Sequence, residues 1–232
     1  MDYFFCTLAF LLMTFGPPIL LGYFLGSVPF GLILTRAFGA GDLRNIGSGN
    51  IGATNVLRTG RKGLAAATLL LDMGKGALAV FLFSPSFWGL VAGWTIFVPT
   101  GGNASVDLVA GPLGNFPTLL AALAALIGHC YPVWLKFKGG KGVATMLGIS
   151  FALAWPIGLI SAIVWLGGMF ATRISSVGGM ASAVAAPIVA FALGQYEMAA
   201  VLALMAAIVI WKHRANIARL RAGTEPRIGA KS

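Results

Sequence analysis

Residues 142–172, GVATMLGISFALAWPIGLISAIVWLGGMFAT, lie between Lys141 and Arg173 and contain no charged side chain. One helix needs about 20 apolar residues to cross a hydrocarbon core of about 30 Å. The run is longer than that, yet too short for two full crossings. With a short turn, two arms of about 14 residues would each rise about 21 Å. The stretch therefore reads as two short spans that thin the bilayer, or as a re-entrant pair.

Two more stretches, 76–135 and 174–211, also lack Lys and Arg. Basic residues mark the cytoplasmic side of a membrane protein. If each stretch leaves that side and returns, each holds a pair of spans. The segment Phe4–Leu34 has no basic residue, carries a Gly16-Pro17-Pro18 break and reads as one long or kinked helix ending near Arg36. It lacks the basic n-region of a signal peptide. One helix plus three pairs predicts an all-α integral membrane protein of seven transmembrane helices, some of them short. The odd number puts the N-terminus outside and the C-terminus in the cytoplasm. A five-span arrangement with one re-entrant pair keeps the same parity. The Gly-, Asn- and Pro-rich residues near 99–117 read as an exterior loop. Residues 1–232 form one transmembrane domain in this reading, with 212–232 as a cytoplasmic basic tail.

Composition supports the membrane assignment. The chain is 58% hydrophobic and 9% charged, against about 45–50% and about 25% for soluble domains. That excludes a soluble enzyme and a disordered chain. The net charge of +10 belongs to positive-inside loops and not to a nucleic-acid surface. Thirty-two glycines suit close helix packing and backbone loops that approach a ligand. Cys6 and Cys130 carry neither a disulfide nor a metal pattern, so no metal and no cofactor is expected.

Polar residues concentrate in the loops assigned to the cytoplasm. In Asn45–Arg58, glycines expose backbone N–H groups, Ser48, Asn50, Thr54 and Asn55 add small polar groups, and Arg58 adds a fork of donors. Such a loop before a helix can hold an anion, although Gly, Asn and Ser also form ordinary turns. In Gly128–Thr145, the run Gly139-Gly140-Lys141-Gly142 can close on a phosphate with Lys141 as a point charge. It fails the Walker A pattern, which argues against an NTPase. His129 reads as a packing residue. Ser175 and Ser176 offer hydroxyls in a third small loop. His213 and Asn216 share a helical face past the last span, while Arg219 and Arg221 read as lipid contacts. Asp72 and Lys75, at i,i+3, share another face. They lie within the membrane if their helix starts near Gly63, and at the interface if it starts near Gly76.

Taken together these motifs resemble the bacterial acyl-phosphate:glycerol-3-phosphate acyltransferases, the PlsY family. Ser48-Gly49-Asn50-Ile51-Gly52-Ala53-Thr54-Asn55-Val56-Leu57-Arg58 resembles that family's first signature, with Ile51 where proline is common. Asp72-x-x-Lys75-Gly76 resembles a short motif. Gly128-His129-x-x-Pro132 with Phe137–Thr145 resembles the second signature, and Ser175-Ser176-x-Gly178 a further loop. His213-x-x-Asn216-Ile217-x-Arg219-Leu220-x-x-Gly223-Thr224-Glu225 resembles the third. The likeness runs from about Gly22 to Glu225.

The resemblance implies transfer of a fatty acyl group from acyl-phosphate to the sn-1 hydroxyl of sn-glycerol 3-phosphate. The products are lysophosphatidic acid and phosphate, in the first acylation of bacterial phospholipid synthesis. It implies catalytic roles for Ser48, Arg58, His213 and Asn216. Phosphate binding falls to Asn50, Thr54, Asn55, Lys75, Gly139, Gly140, Lys141, Gly142, Ser175 and Ser176, and structural roles to Glu225 and Asp72. It also implies a multi-pass protein of the bacterial inner membrane with a cytoplasmic active site. Its partners are acyl-phosphate, glycerol 3-phosphate and membrane lipids, with the oligomeric state open and a monomer sufficient. An acyl-phosphate is already activated, so positioning and charge neutralisation can carry most of the catalysis. The general base is open between His213 and a substrate phosphate. A transporter or flippase for a phosphorylated molecule is the competing reading. It would place polar groups near the midplane, in paired repeats.

Overall fold

The structure is a computed structural model that describes residues 2–47, 49–85, 87 and 115–228, with backbone alone for 2–10. Ser48 and most of the expected exterior loop lie outside the described residues. The rest is helical: α1 Asp2–Ser27, α2 Phe30–Ala37, α3 Ala53–Leu57, α4 Lys62–Leu82, α5 Phe116–Cys130, α6 Val143–Leu153, α7 Trp155–Thr172, α8 Ser175–Ala192, α9 Tyr196–Lys212 and α10 Arg214–Arg221.

Among the described residues five segments are long and apolar enough to cross a membrane: 11–37, 62–82, 116–135, 155–172 and 175–192. A sixth is added if α9 and α10, bent by 58° at His213, count as one. Over the described residues that is one or two fewer than the seven expected. One described helix is short for a physical reason. Helix α6 has 11 residues, which at 1.5 Å each is about 17 Å, roughly half a hydrocarbon core. The charge-free stretch divides unevenly at Ala154, whose backbone is extended (φ −158°, ψ 116°), so α7 takes 18 residues.

The first segment, expected as one long or kinked helix, is one candidate span over 11–37, interrupted between α1 and α2 and not at Gly16-Pro17-Pro18. Helix α1 continues without interruption through Pro17 and Pro18, which membrane helices tolerate. The break falls at Val28-Pro29, between α1 and α2. Pro29 has no N–H to continue the ladder, and α2 begins at the next residue.

Small residues set the packing. Along α1, Gly22 and Gly26 sit four apart against Ala121 and Ala125 of α5. A methyl added at Gly22 would come within 2.5 Å of the Ala121 carbonyl oxygen. Without a hydrophobic drive between helices in lipid, such close backbone approach is what holds them together. Helix α4 packs on α6, α7 on α8, and α8 on α9. Ala125, Leu126, Ile149, Leu202, Met205 and Val209 lie in the shared core. Met13, Phe170, Ile188 and Phe191 point outward and are more than half exposed, as a lipid-facing surface requires.

Candidate active site

The loops after α2, before α6, before α8 and after α9 converge on one polar cluster. Helix α8 opens at Ser175 and presents two successive hydroxyls. Ser175 Oγ lies 3.0 Å from Thr54 Oγ1, joining the first loop to the third. Ser176 donates to Glu225 Oε1 at 2.7 Å. Glu225 also accepts from Asn216 Nδ2 at 2.5 Å and from Arg219 Nε at 2.7 Å. Lys141 Nζ donates to Asn216 Oδ1 at 2.6 Å. Beyond Glu225, the Ile228 N–H bonds the Arg173 carbonyl at 2.7 Å. The tail thus straps the start of α8. It folds back because Glu225, the one acid of residues 212–232, meets three donors there.

The charges explain themselves. Burial alone would raise the Glu225 carboxyl, but hydrogen bonds from Ser176, Asn216 and Arg219 outweigh it and hold it below the usual range. Burial pushes the Lys141 ammonium down to about 8, against the attraction of Glu225 and with repulsion from Arg219 and Arg58 added. Arg58 therefore belongs to the same electrostatic neighbourhood. Its side chain lies against Gly47, where a methyl would come within 2.7 Å of Nη1. Gly47 has φ 52°, the left-handed region that glycine enters without strain.

His213 is buried at the bend between α9 and α10. Its Nδ1 lies 2.8 Å from the Val209 carbonyl oxygen. A carbonyl only accepts, so Nδ1 carries the hydrogen and Nε2 of the neutral ring keeps its lone pair. Nε2 would sit 3.8 Å from a methyl on Gly179, near the third loop. Lys141 and Glu225 are within electrostatic reach of the ring.

Arg58, Thr54, Lys141, Ser175, Ser176, His213, Asn216 and Glu225 are thus brought together, and the six other expected phosphate ligands are placed as follows. Asn55 is buried and its amide donates to the carbonyls of Leu43 and Ile46, at 3.0 and 2.9 Å. It fastens the first loop from inside. The N–H groups of Gly139 and Gly140 bond the carbonyls of Cys130 and His129, at 3.2 and 3.0 Å. Those two amides are engaged in holding the loop, and Gly142, with φ 87°, makes the turn into α6. Lys75 is buried in α4, which starts at Lys62 and so places Lys75 and Asp72 well inside the helix. Its ammonium donates to the Val28 carbonyl at 2.7 Å and contacts Asp72 Oδ1 at 2.6 Å. Asn50 is half-buried, with its amide nitrogen beside Gly52.

Two contributions were not apparent in the sequence. Arg219, expected on lipid, binds Glu225, and the i,i+6 spacing around a lone acid was the available signal. Lys212 donates to the Cys130 carbonyl at 2.8 Å and lies over the Tyr131 ring, tying the last span to the glycine loop. Among the described residues no three His, Cys, Asp or Glu side chains are grouped to hold a metal.

Residues 18–223 match the family model described as glycerol-3-phosphate acyltransferase. A glycerol-3-phosphate acyltransferase of Roseobacter denitrificans is 50% identical over 211 residues, 91% of this chain and 92% of that protein. One of Zymomonas mobilis is 51% identical over 214 residues, 90% and 93% of the two chains. Among solved structures, the fold is similar to crystal structures of PlsY (YgiH), an integral membrane glycerol 3-phosphate acyltransferase. The glycerol 3-phosphate form has a TM-score of 0.74 at 34% identity, covering 91% of this chain and 94% of that one. The lysophosphatidic acid form has a TM-score of 0.73 at 33% identity.

Proposed function

The chain belongs to the glycerol-3-phosphate acyltransferase family, and from that premise we propose that it uses acyl-phosphate to acylate the sn-1 hydroxyl of sn-glycerol 3-phosphate. The products are lysophosphatidic acid and inorganic phosphate, released at the cytoplasmic face of a bacterial inner membrane. The observation that carries the reading is the cation excess at one end of the bundle. Lys141, Arg219 and Arg58 share a neighbourhood with a single carboxylate, Glu225. Both substrates bring phosphate to such a site.

In this mechanism the glycerol hydroxyl oxygen bonds to the acyl carbon. The carbon–oxygen bond to phosphate breaks, and phosphate leaves with its electron pair. Lys141, poised beside Asn216, neutralises the phosphate of glycerol 3-phosphate. Arg58 meets the acyl-phosphate, where charge moves onto the leaving group. The hydroxyl proton passes to His213 Nε2 or to a substrate phosphate. The Nδ1 bond to Val209 favours His213, because it leaves Nε2 ready to accept.

The test is a transfer assay with purified protein and labelled glycerol 3-phosphate, offering acyl-phosphate or acyl-CoA. Lysophosphatidic acid should form from acyl-phosphate. Equal turnover with acyl-CoA would defeat the donor assignment.

A further inference from the structure

Beneath the glycine loop lies a second polar group that the transfer reaction does not use. Lys75 and Asp72 of α4 and His129 of α5 are each 5% exposed or less. Lys75 Nζ meets Asp72 Oδ1 at 2.6 Å. His129 Nδ1 faces the same oxygen at 3.7 Å, an electrostatic contact and too long for a hydrogen bond. Ionisable groups inside a membrane helix are costly to keep. This group therefore calls for a reason beyond packing.

One of its ends reaches the glycine loop, and the other the break ahead of α2. At one end Lys75 donates to Val28, the residue before the Pro29 break from which α2 leads into the first loop. At the other end the His129 ring lies directly under Gly140, and a methyl there would collide with Nε2. The His129 carbonyl also receives the Gly140 N–H at 3.0 Å. Gly140 is followed by Lys141, whose ammonium reaches Asn216 in the active-site cluster. The ring thus supports the residue next to Lys141 in the chain.

We propose that Lys75, Asp72 and His129 are positioning residues that set the height of the glycine loop against the α1–α2 break, from which α2 leads to the first loop, and so the fit of glycerol 3-phosphate. The chain of contacts runs from the Val28 carbonyl through Lys75 and Asp72 to the His129 ring and Gly140. None of the three touches substrate in this proposal. It rests on the acyl-transfer reading given above.

The loop's contact with glycerol 3-phosphate exists in ground and transition states alike, so its misplacement raises KM more than it lowers kcat. Asp72→Asn keeps the shape and removes the charge that orients the ring. It should raise KM for glycerol 3-phosphate about tenfold with kcat within about threefold. A double-mutant cycle probes the ring itself. Gly140→Ala in the parent should raise KM about tenfold; in a His129→Ala background, where the ring is gone, the same methyl should add less than about twofold.

Thermal melting in detergent is recorded for every variant. Lowered melting with KM unmoved marks a purely structural role and overturns the proposal, as do multiplicative effects of Gly140→Ala and His129→Ala. If Asp72→Asn does not fold, the cycle decides alone. A parent without turnover overturns both readings; an active parent with KM unmoved overturns this one only.

Discussion

Two carboxylates of this protein each hold a cation, in opposite surroundings. Asp72 is buried between helices beside one lysine, so the charges of that pair cancel. Glu225 lies at the loop end, where it accepts from Ser176, Asn216 and Arg219 and shares its surroundings with Lys141 and, through it, Arg58. There the cations outnumber the acid. The first arrangement suits a frame that must be complete before any ligand arrives. The second suits a receptor for phosphate, since the missing negative charge is what the substrates carry.

The largest effect should come from unbalancing the frame. Lys75→Met leaves the Asp72 carboxylate buried without its partner, which should cost about 3–5 kcal/mol of stability. Asp72→Leu in addition should restore most of that loss, because well-packed apolar side chains often replace a buried pair at little cost. Melting curves of the two variants measure this. A double variant as unstable as the single one would mean that the pair does more than balance itself.

Removing a cation from the receptor should act on rate and leave melting nearly unchanged. Arg58→Ala should lower kcat by roughly 10²–10³, the loss typical of one preorganised donor. Arg58→Lys should recover only part of it, since a point charge replaces a planar fork. Full activity of Arg58→Lys in steady-state kinetics would break the assignment.

A smaller effect concerns pH. Lys141 is held down to about 8 by burial, so its charge is lost above that pH. The kcat/KM for glycerol 3-phosphate should fall there, by about tenfold for each further unit. Lys141→Arg should move the alkaline limb upward. Stability should change in the opposite direction. Between about 8 and the ordinary lysine value near 10.4, the unfolded chain binds the extra proton, so the ligand-free protein gains stability as pH rises. A pH–rate profile and melting across the same range check both.

The smallest perturbation is single cysteines on the surface. Placed at Lys62, Lys138 and Arg173, they should leave activity intact and escape an impermeant reagent applied outside intact cells. A cysteine at Gln195, at the opposite turn between α8 and α9, should react. Labelling at Lys138 would put the receptor on the wrong side.

The sequence made the receptor more legible than the frame. Arg58, Lys141, His213, Asn216 and Glu225 stand in loops or just past a span, where a polar residue in an apolar chain is conspicuous. Their convergence depends on contacts such as Thr54 to Ser175, 121 residues apart, which no periodicity encodes. The engaged amides of Gly139 and Gly140 were illegible for the same reason: a glycine-rich run reads alike whether its N–H groups face a ligand or a neighbouring carbonyl. The number of spans was hard to read because positive-inside parity fixes only odd or even, and the charge-free run divides unevenly at Ala154, leaving α6 with 11 residues. The helix break was misplaced because two prolines within α1 gave a stronger signal than the single Pro29, where the helix is interrupted.

The spacing of Asp72 and Lys75 also bears on how the chain is made. Synthesis runs from the N-terminus, so α4 is made before the helix that carries His129. A lone Asp or Lys at the centre of a membrane helix costs about 2.5–3.5 kcal/mol on insertion. Because the two lie one turn apart on one helix, α4 carries its counter-ion with it from the start. It can partition as a nearly neutral segment, and wait for the later helix that gives the pair its purpose.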